Sequence, residues 1–266
     1  MQTTLEFPDL LRLIDDRSTA FRAAVASASS LDVQVPTCPE WTLFDLAQHL
    51  GVGRRTWAAT VKAGPDATAK AAPQGDTAAP RERAALLAWL AASSHQLLDA
   101  LREADPDRGC WTFWGKSQSP QTCAAVARRQ LHEIAVHTYD AQLTVGGPQQ
   151  LPDEVAIDGA EEFLSTFCTT TVAWPHEPAV VEYRVTEGRS WRNWVSGNGA
   201  RFARLPSSGI LPVTADGEEP EAADASAQGS AHELVLAFYG RIPLDSLKLD
   251  GDRRIFDQLV DWDLER

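Results

Sequence analysis

The chain has 266 residues, of which 44% are hydrophobic, enough for one large domain or two modest ones with packed cores. A formal net charge of -13 argues against a nucleic acid or an anionic membrane as the partner. Acidic residues interrupt the N-terminal apolar residues, no apolar run is long enough to cross a bilayer, and the four cysteines contain no Cys-x-x-Cys pair. We therefore expect a cytoplasmic protein without a signal peptide, a membrane span or a cysteine-rich zinc site.

The first part of the chain is predicted to form four long helices, because apolar residues recur there at three- and four-residue steps. Thr42 and Asp45, three residues apart, are typical of a capping box at the start of the second helix. Gly146-Gly147-Pro148 is a stop signal at the end of the fourth. Four helices joined by loops indicate a four-helix bundle. The predicted helices cover residues 5–28, 43–63, 81–103 and 121–145.

The pattern changes after Pro148. Alternating apolar residues at 180–185 and 191–195 are typical of strands in an antiparallel sheet, and the acidic stretch 209–226 is predicted to be a surface turn. Further elements are helices at 153–169, 229–239 and 252–262 and a short strand at 244–249. The predicted fold class is α+β, with a helical bundle over residues 1–149 and a smaller α+β domain over residues 150–266.

The fourth helix carries the strongest candidate for a chemical site. Glu133 and His137 stand four residues apart, so their side chains lie on one face, about one turn from each other. His132 lies about 140° around the axis from His137 and is not expected to be a ligand. A carboxylate and an imidazole on one face supply half of a metal site.

A third ligand has to come from another helix, and His49 is the best candidate. It lies in the middle of the second helix, on or beside the apolar stripe, and is therefore expected inside the bundle. Two imidazoles and one carboxylate suit Zn²⁺ with a fourth position open for catalysis. The alternative is that His49 and His137 are core histidines satisfied by hydrogen bonds and Glu133 is an ordinary helix carboxylate. Spacing alone leaves both interpretations open.

Three aromatic residues lie in the irregular connection before the fourth helix, namely Trp111, Phe113 and Trp114. They either line the mouth of a pocket or fill the end of the bundle. We take Trp114, together with Trp41 before the second helix, as candidate substrate-binding residues.

Three segments, in order along nearly the whole chain, resemble signatures of one known family. They are Thr37–Thr42 with Asp45–Gly51, then Arg129–Ala141, then Tyr239–Asp245 with Asp250–Arg253. The family is that of the mycothiol-dependent maleylpyruvate isomerases, a DinB-like group. The resemblance implies a DinB-like four-helix bundle that carries a divalent metal, usually zinc, followed by a smaller, sterol-carrier-like α/β domain that contributes to substrate binding.

The same resemblance implies roles for individual residues. The ligands of the family's metal correspond to His49, Glu133 and His137. The arginine of the Gly-Arg pair, which in the family binds substrate carboxylates, corresponds to Arg241, our candidate catalytic residue. A guanidinium suits that role because it pairs with a carboxylate in bidentate fashion.

The implied function is that of an enzyme that activates a low-molecular-weight thiol, mycothiol, for addition to a small electrophile. In the isomerase reaction the thiolate adds to the cis double bond of maleylpyruvate, and rotation and elimination give the trans product. The alternatives are a thiol S-transferase, a non-catalytic metal-stabilised module, and a lipid or sterol binder in the C-terminal domain. The expected partners are small molecules, and the expected state is a monomer or homodimer. The scarcity of Lys relative to Arg is compatible with an actinobacterial source.

Overall fold

The computed structural model describes residues 5–73, 77–206 and 222–262. By its contacts the chain divides into two compact units. The first consists of Met1–Phe113 and Pro120–Leu151, and the second of Trp114–Ser119 and Pro152–Arg266. The α+β class predicted from the sequence is confirmed, with a helical N-terminal part and a sheet in the C-terminal part.

The first unit is a four-helix bundle. Helix α1 packs mainly on α4 and α2 mainly on α3, and contacts of α1 with α3 and of α2 with α4 close the ring. All four predicted helices are present, with ends within two residues of the prediction. Their bounds are α1, Phe7–Ser27; α2, Leu43–Ala63; α3, Arg83–Glu103; and α4, Cys123–Thr144.

Helix α2 begins at the predicted capping box. The hydroxyl of Thr42 accepts a hydrogen bond from the backbone N–H of Asp45 at 3.2 Å, and the Asp45 carboxylate accepts one from the N–H of Thr42 at 2.9 Å. Two of the N–H groups that a helix start leaves without partners are satisfied in this way.

A short hairpin that the sequence did not predict precedes this helix. Strands β1 (Gln34–Val35) and β2 (Cys38–Thr42) pair antiparallel, and β2 runs directly into α2. We had predicted only a break over residues 29–39. Strands of two and five residues with two prolines nearby are too short to show an alternating pattern.

The contact of α2 with α3 depends on a glycine. A side chain at Gly51 would collide with the ring of Trp89 on α3, which lies directly against the α2 backbone.

The second unit is built on a five-stranded sheet with the order β5-β4-β3-β6-β7. Strands β3 and β6 pair parallel, and the other neighbouring pairs are antiparallel. The antiparallel strands predicted at 180–185 and 191–195 are confirmed as β3 and β4. The parallel pairing of β3 with β6 was not predicted, because alternation along one strand carries no information about the direction of its neighbour. The elements are α5, Asp153–Phe167; β3, Ala179–Val185; β4, Arg189–Ser196; β5, Gly199–Arg204; β6, Ala225–Gly229; α6, Ala231–Phe238; β7, Lys248–Gly251; and α7, Arg254–Asp261.

Strands β5 and β6 were not predicted. Residues 225–226 of β6 lie at the end of the stretch predicted to be an acidic surface turn, and residues 209–221 of that stretch lie outside the described residues. Strand β6 reads Ala-Ser-Ala-Gln-Gly and has low intrinsic strand propensity, so its pairing with β3 and β7 determines its conformation. The strand predicted at 244–249 begins only at Lys248, after a 3₁₀ turn over Leu244–Ser246.

Helices α5, α6 and α7 cover one face of this sheet. Tyr183 on β3 contacts Phe238 of α6 and Phe256 of α7, with ring centroids 5.2 and 6.3 Å apart. Opposite Tyr183, Trp191 donates a hydrogen bond from its indole N–H to Glu161 of α5 at 2.9 Å. Within the described ranges, none of the helices combines the length and the hydropathy that crossing a membrane requires.

Candidate metal centre

His49, Glu133 and His137 come together in the first unit, where α2 faces α4. Nε2 of His49 lies 3.0 Å from Oε1 of Glu133, and Nε2 of His137 lies 3.4 Å from the same oxygen. One ligand atom from each residue lies within 4.8 Å of the other two. The three side chains therefore form one cluster.

The cluster runs from the surface inward. The exposed side-chain fraction is 40% for His49, 27% for Glu133 and 11% for His137. His49 was expected inside the bundle, and this expectation is wrong, because the buried stripe of α2 passes through Leu46 and Leu50 and leaves His49 beside it. An exposed imidazole does not need a buried partner, so His49 does not fit the core-histidine alternative.

Asp140 holds the second ring nitrogen of His137. Its Oδ2 lies 2.8 Å from Nδ1 of His137, and the Asp140 side chain is fully buried. Oδ1 accepts a hydrogen bond of 2.6 Å from the Thr37 hydroxyl in the connection between β1 and β2. A proton on Nδ1 that is donated to Asp140 leaves the lone pair of Nε2 directed towards Glu133 and His49.

Arg129 orients Glu133 from within α4. Its guanidinium is buried and donates to Oε2 of Glu133 at 2.7 Å, while Oε1 faces the two imidazoles. A second buried arginine, Arg54 on α2, adds positive charge to the interaction, and burial lowers its pKa to about 10. The carboxylate thus has one oxygen held in place and one directed to the cluster.

The electrostatics favour an ionised carboxylate. Burial would raise the pKa of Glu133, but hydrogen bonds with His137 and His49 and the charges of His137 and Arg129 lower it well below its ordinary range. Burial would likewise lower the pKa of His137, yet its bonds to Asp140 and Glu133 raise it. Without a metal, these carboxylates stabilise a proton on His137, and a divalent cation would displace it.

The donor set fits a first-row divalent metal. Two imidazole nitrogens and one carboxylate oxygen are the ligands of catalytic zinc sites, and a carboxylate behind a ligating histidine is the usual second partner. His49 also lines a cleft of about 570 Å³, together with Trp41, Gln48 and Lys70. The Trp41 ring lies 4.7 Å from that of His49 and 6.2 Å from that of His137.

Several of these neighbours were not singled out from the sequence. Cys38, His137 and Asp140 form a second group close enough to hold an ion, with the Cys38 sulfur 3.9 Å from Oδ2 of Asp140. The spacing of three residues between His137 and Asp140 is a signal that predicts their contact on a helix. Nothing in the local sequence indicates that Thr37 and Cys38 contact Asp140, about a hundred residues away.

The aromatic connection before α4 is packed in part, since Trp114 is buried and Phe113 is 56% exposed. Trp111 and Phe113 lie against Trp57 of α2, with ring centroids 6.2 and 6.4 Å away. Trp114 is buried and belongs by its contacts to the second unit. His132 is buried and lies outside the three-residue cluster. The substrate-binding roles of Trp41 and Trp114 stay predictions.

Arg241 lies in the second unit, where a glycine sets its position. Gly240 follows α6 with φ +67°, and the N–H groups of Gly240 and Arg241 bond to the carbonyls of Ala237 and Leu236. This pattern is a Schellman motif, which needs a residue that tolerates positive φ. The Arg241 guanidinium donates to the carbonyl of Tyr239 at 2.7 Å. Its role as a carboxylate clamp stays a prediction.

Comparisons with known proteins agree over most of the chain. The model of the mycothiol maleylpyruvate isomerase N-terminal domain matches residues 11–142, and that of the MDMPI C-terminal domain matches residues 154–258. A search of curated proteins gave no match.

Two similar solved structures cover nearly the whole chain. The crystal structure of the mycothiol-dependent maleylpyruvate isomerase has a TM-score of 0.59 at 14% identity, covering 94% of this chain and 96% of that one. A histidine-to-alanine mutant of that isomerase gives the same TM-score and coverage at 13% identity. At such identities the likeness establishes the fold, and the two family models, which follow one another along the chain, establish the family. The chain belongs to the mycothiol-dependent maleylpyruvate isomerase family and is an enzyme of the isomerase or transferase kind.

Proposed function

We propose that His49, Glu133 and His137 hold one divalent metal ion, with zinc favoured by the donor set, and that the enzyme uses it to activate mycothiol for reaction with a small, carboxylate-bearing electrophile. The observation that carries the proposal is the convergence of these three side chains, of which His49 lines a cleft of about 570 Å³. The family supports the choice of thiol, since its name and that of the similar structures include mycothiol and maleylpyruvate.

The chain's own residues prepare this site in advance. A bound zinc ion would favour the thiolate form of a thiol at neutral pH. Asp140 keeps the Nε2 lone pair of His137 available, and Arg129 holds the oxygen of Glu133 that does not face the histidines. Because these partners are buried, the ligands need little rearrangement to bind a metal, which lowers the free-energy cost of forming the site.

The reaction that we propose is cis-trans isomerisation. Addition of the thiolate to the cis double bond of maleylpyruvate forms a C–S bond and leaves a single C–C bond about which the molecule can rotate. Elimination then breaks the C–S bond, restores the double bond in the trans form and returns the thiol. Arg241 would pair with a substrate carboxylate, and Trp41, Trp114 and the C-terminal domain over residues 150–266 would contribute to substrate binding.

A thiol S-transferase would use the same cluster and stop after C–S bond formation or displacement of a leaving group. The two reactions differ in their demand for thiol. With substoichiometric mycothiol an isomerase converts all of its substrate, whereas a transferase stops when the thiol is consumed and yields a thioether that mass spectrometry detects. We propose isomerisation first because both similar crystal structures are of an isomerase.

The metal site can be tested without turnover. The purified wild type should contain about one divalent ion per chain. In the cobalt-substituted protein, added mycothiol should produce a sulfur-to-cobalt charge-transfer band. His49→Ala should lose both the metal and the band, whereas His95→Ala, at an exposed histidine of α3, should keep both. Metal retained in His49→Ala with unchanged affinity would remove His49 from the ligand set.

A non-catalytic metal site is the second candidate, and the group of Cys38, His137 and Asp140 favours it. In that arrangement Cys38 and Asp140 would be ligands beside His137, and none of these three residues lines the cleft that His49 borders. Cys38→Ser should then release the metal. If the metal and the mycothiol-induced band both survive this change, the position facing the cleft is open and the catalytic proposal stands.

The role of Arg241 has its own test. Arg241→Ala should raise KM for a carboxylate substrate or lower kcat while the metal content stays unchanged, and Arg241→Lys should restore only part of the activity because an ammonium lacks the bidentate geometry. An unchanged rate would rule out the clamp. The cytoplasmic location and the choice between monomer and homodimer stay predictions.

A further inference from the structure

The second unit contains an apolar cavity of about 130 Å³ between β3 and helices α5, α6 and α7. Six aromatic side chains form most of its wall: Phe163, Phe167, Tyr183, Phe238, Phe256 and Trp262. Among the described residues that line it, none is charged, and the polar side-chain groups are the Cys168 thiol, the Tyr183 hydroxyl and the Trp262 indole N–H.

Contacts between the rings hold the wall in shape. Phe163 stacks on Phe238, with centroids 4.8 Å apart and an interplanar angle of 12°, and Tyr183 meets Phe238 edge-on at 5.2 Å. Such contacts orient each ring against its neighbours, so the wall exists before a ligand arrives. Val260 also lines the cavity and is 76% exposed, which shows that the cavity reaches the surface at α7.

Tyr183 supplies one polar group at this site. The residue is only 4% exposed, and in the part of the chain that the structure describes its hydroxyl makes no hydrogen bond. Burial raises the pKa of Tyr183 well above its ordinary value, so the hydroxyl stays a neutral donor. A ligand oxygen that reaches this hydroxyl through the cavity can accept its hydrogen bond.

The size of the cavity restricts the ligand. A dry apolar cavity of about 150 Å³ accommodates a benzene molecule, whereas pockets for drug-sized ligands measure about 300–1,000 Å³. At about 130 Å³ the cavity is close to that size, so it fits one aromatic ring, and most of a sterol would have to lie outside it. This argues against the lipid- or sterol-binding alternative considered for the C-terminal domain.

We propose that this cavity binds a neutral molecule built on a single aromatic ring, with an oxygen substituent that accepts a hydrogen bond from Tyr183. The site goes beyond the proposed function, because a carboxylate-bearing electrophile does not suit a lining without cations. It also depends on a different unit from the metal cluster, so either proposal can fail while the other stands.

Phenol and toluene are matched probes, since they have nearly the same size and differ in one hydroxyl. Calorimetric titration of the full-length protein should show saturable binding of both, with phenol the tighter. Tyr183→Phe should weaken phenol binding by roughly threefold to tenfold, the worth of one hydrogen bond, and leave toluene unchanged. Equal effects on the two probes, or no effect on phenol, would overturn the role of the hydroxyl.

A second pair of variants tests the cavity independently of Tyr183. Ala237→Leu adds three carbons to the wall at a position that lines the cavity, and it should abolish saturable binding of both probes. Ala92→Leu, at an exposed position of α3, should leave both unchanged. Unaltered binding in Ala237→Leu, or no saturation in the wild type, contradicts the proposal. Tighter binding of 1-hexanol than of phenol would mean an alkyl-chain site and overturn the aromatic assignment.

Discussion

The two units differ in what their binding sites are made of. In the first unit the cluster consists of ionisable side chains, with Arg129 and Asp140 buried behind the candidate ligands. In the second unit the cavity is walled by aromatic rings, with a single hydroxyl on Tyr183. Burying a charge is expensive unless it is paired, whereas burying a ring is favourable. In the bundle each of these buried charges therefore needs a partner, which Glu133 supplies for Arg129 and His137 for Asp140, whereas the sheet unit forms its cavity from rings whose burial already stabilises it.

The largest effect expected from this difference is on metal binding. Loss of a residue that hydrogen-bonds a metal ligand typically weakens metal affinity by about 10–100-fold. His137→Ala removes a ligand itself, so it should weaken zinc affinity by more than that. Competition with a chromophoric chelator measures the affinity. His132→Ala is the matched control, since this histidine is buried on the same helix and lies outside the cluster. Similar losses in both variants would mean that the metal is bound elsewhere.

The next largest effect concerns the support of the ligands. Asp140→Asn preserves the shape of the side chain and removes its charge, so the basicity of His137 should fall and zinc affinity should drop by about 10–100-fold. Asp99→Asn on the surface of α3 changes the same charge away from the site and should have no effect. An unchanged affinity in Asp140→Asn would show that His137 does not depend on its carboxylate partner.

A stability effect of intermediate size is expected at the contact of α2 with α3. Gly51→Ala should lower the free energy of unfolding by about 1–3 kcal/mol, because the new methyl group displaces the Trp89 ring. At Gly53 the added carbon of an alanine would have no atom within 4 Å. Gly53→Ala should therefore raise the free energy of unfolding by up to about 1 kcal/mol, the usual gain of Ala over Gly in a helix. Urea unfolding measures both, and the same sign in the two variants contradicts the explanation.

The smallest effects on stability are expected at a capping box, a motif that occurs in both units. Helix α6 starts with a capping box of Ser230 and Glu233, like that of Thr42 and Asp45 on α2. Thr42→Ala and Ser230→Ala should each lower the free energy of unfolding by about 1 kcal/mol. Since α2 carries His49, Thr42→Ala alone should also weaken zinc binding; equal zinc affinities in the two variants would show that the helix start does not influence the cluster.

The two capping boxes also predict that the free energy of unfolding depends on pH. Hydrogen bonds with Thr42 lower the pKa of Asp45, and hydrogen bonds with Ser230 lower that of Glu233. A carboxyl group with a depressed folded-state pKa adds stability above its unfolded pKa, and this stability is lost as the pH falls through the folded value. Below about pH 4, the free energy of unfolding should therefore fall less steeply with decreasing pH in Asp45→Asn than in the wild type. A parallel pH profile would contradict this.

Much of the bundle and part of its site follow from local sequence. The periodic apolar residues place α1 to α4, and the four-residue spacing of Glu133 and His137 places both on one face of α4, because helix geometry determines which side chains are neighbours. His49 was identified by residue type and period, but its depth was wrong, since a position at the edge of the stripe is buried or exposed according to what packs beside it. Strand β6 was missed because pairing with its neighbours, and not its own residues, makes it a strand.

Contacts between distant parts of the chain determine the rest. Thr37 reaches Asp140 only because the β1–β2 hairpin folds against α4, and Gly51 matters only because Trp89 of another helix lies on it. The aromatic cavity likewise collects side chains from β3, α5, α6 and α7, and no spacing along the chain reveals an empty volume among them. Periodicity describes one helix or strand at a time, so the residues determine elements and faces, and three-dimensional packing decides which groups meet and what space remains between them.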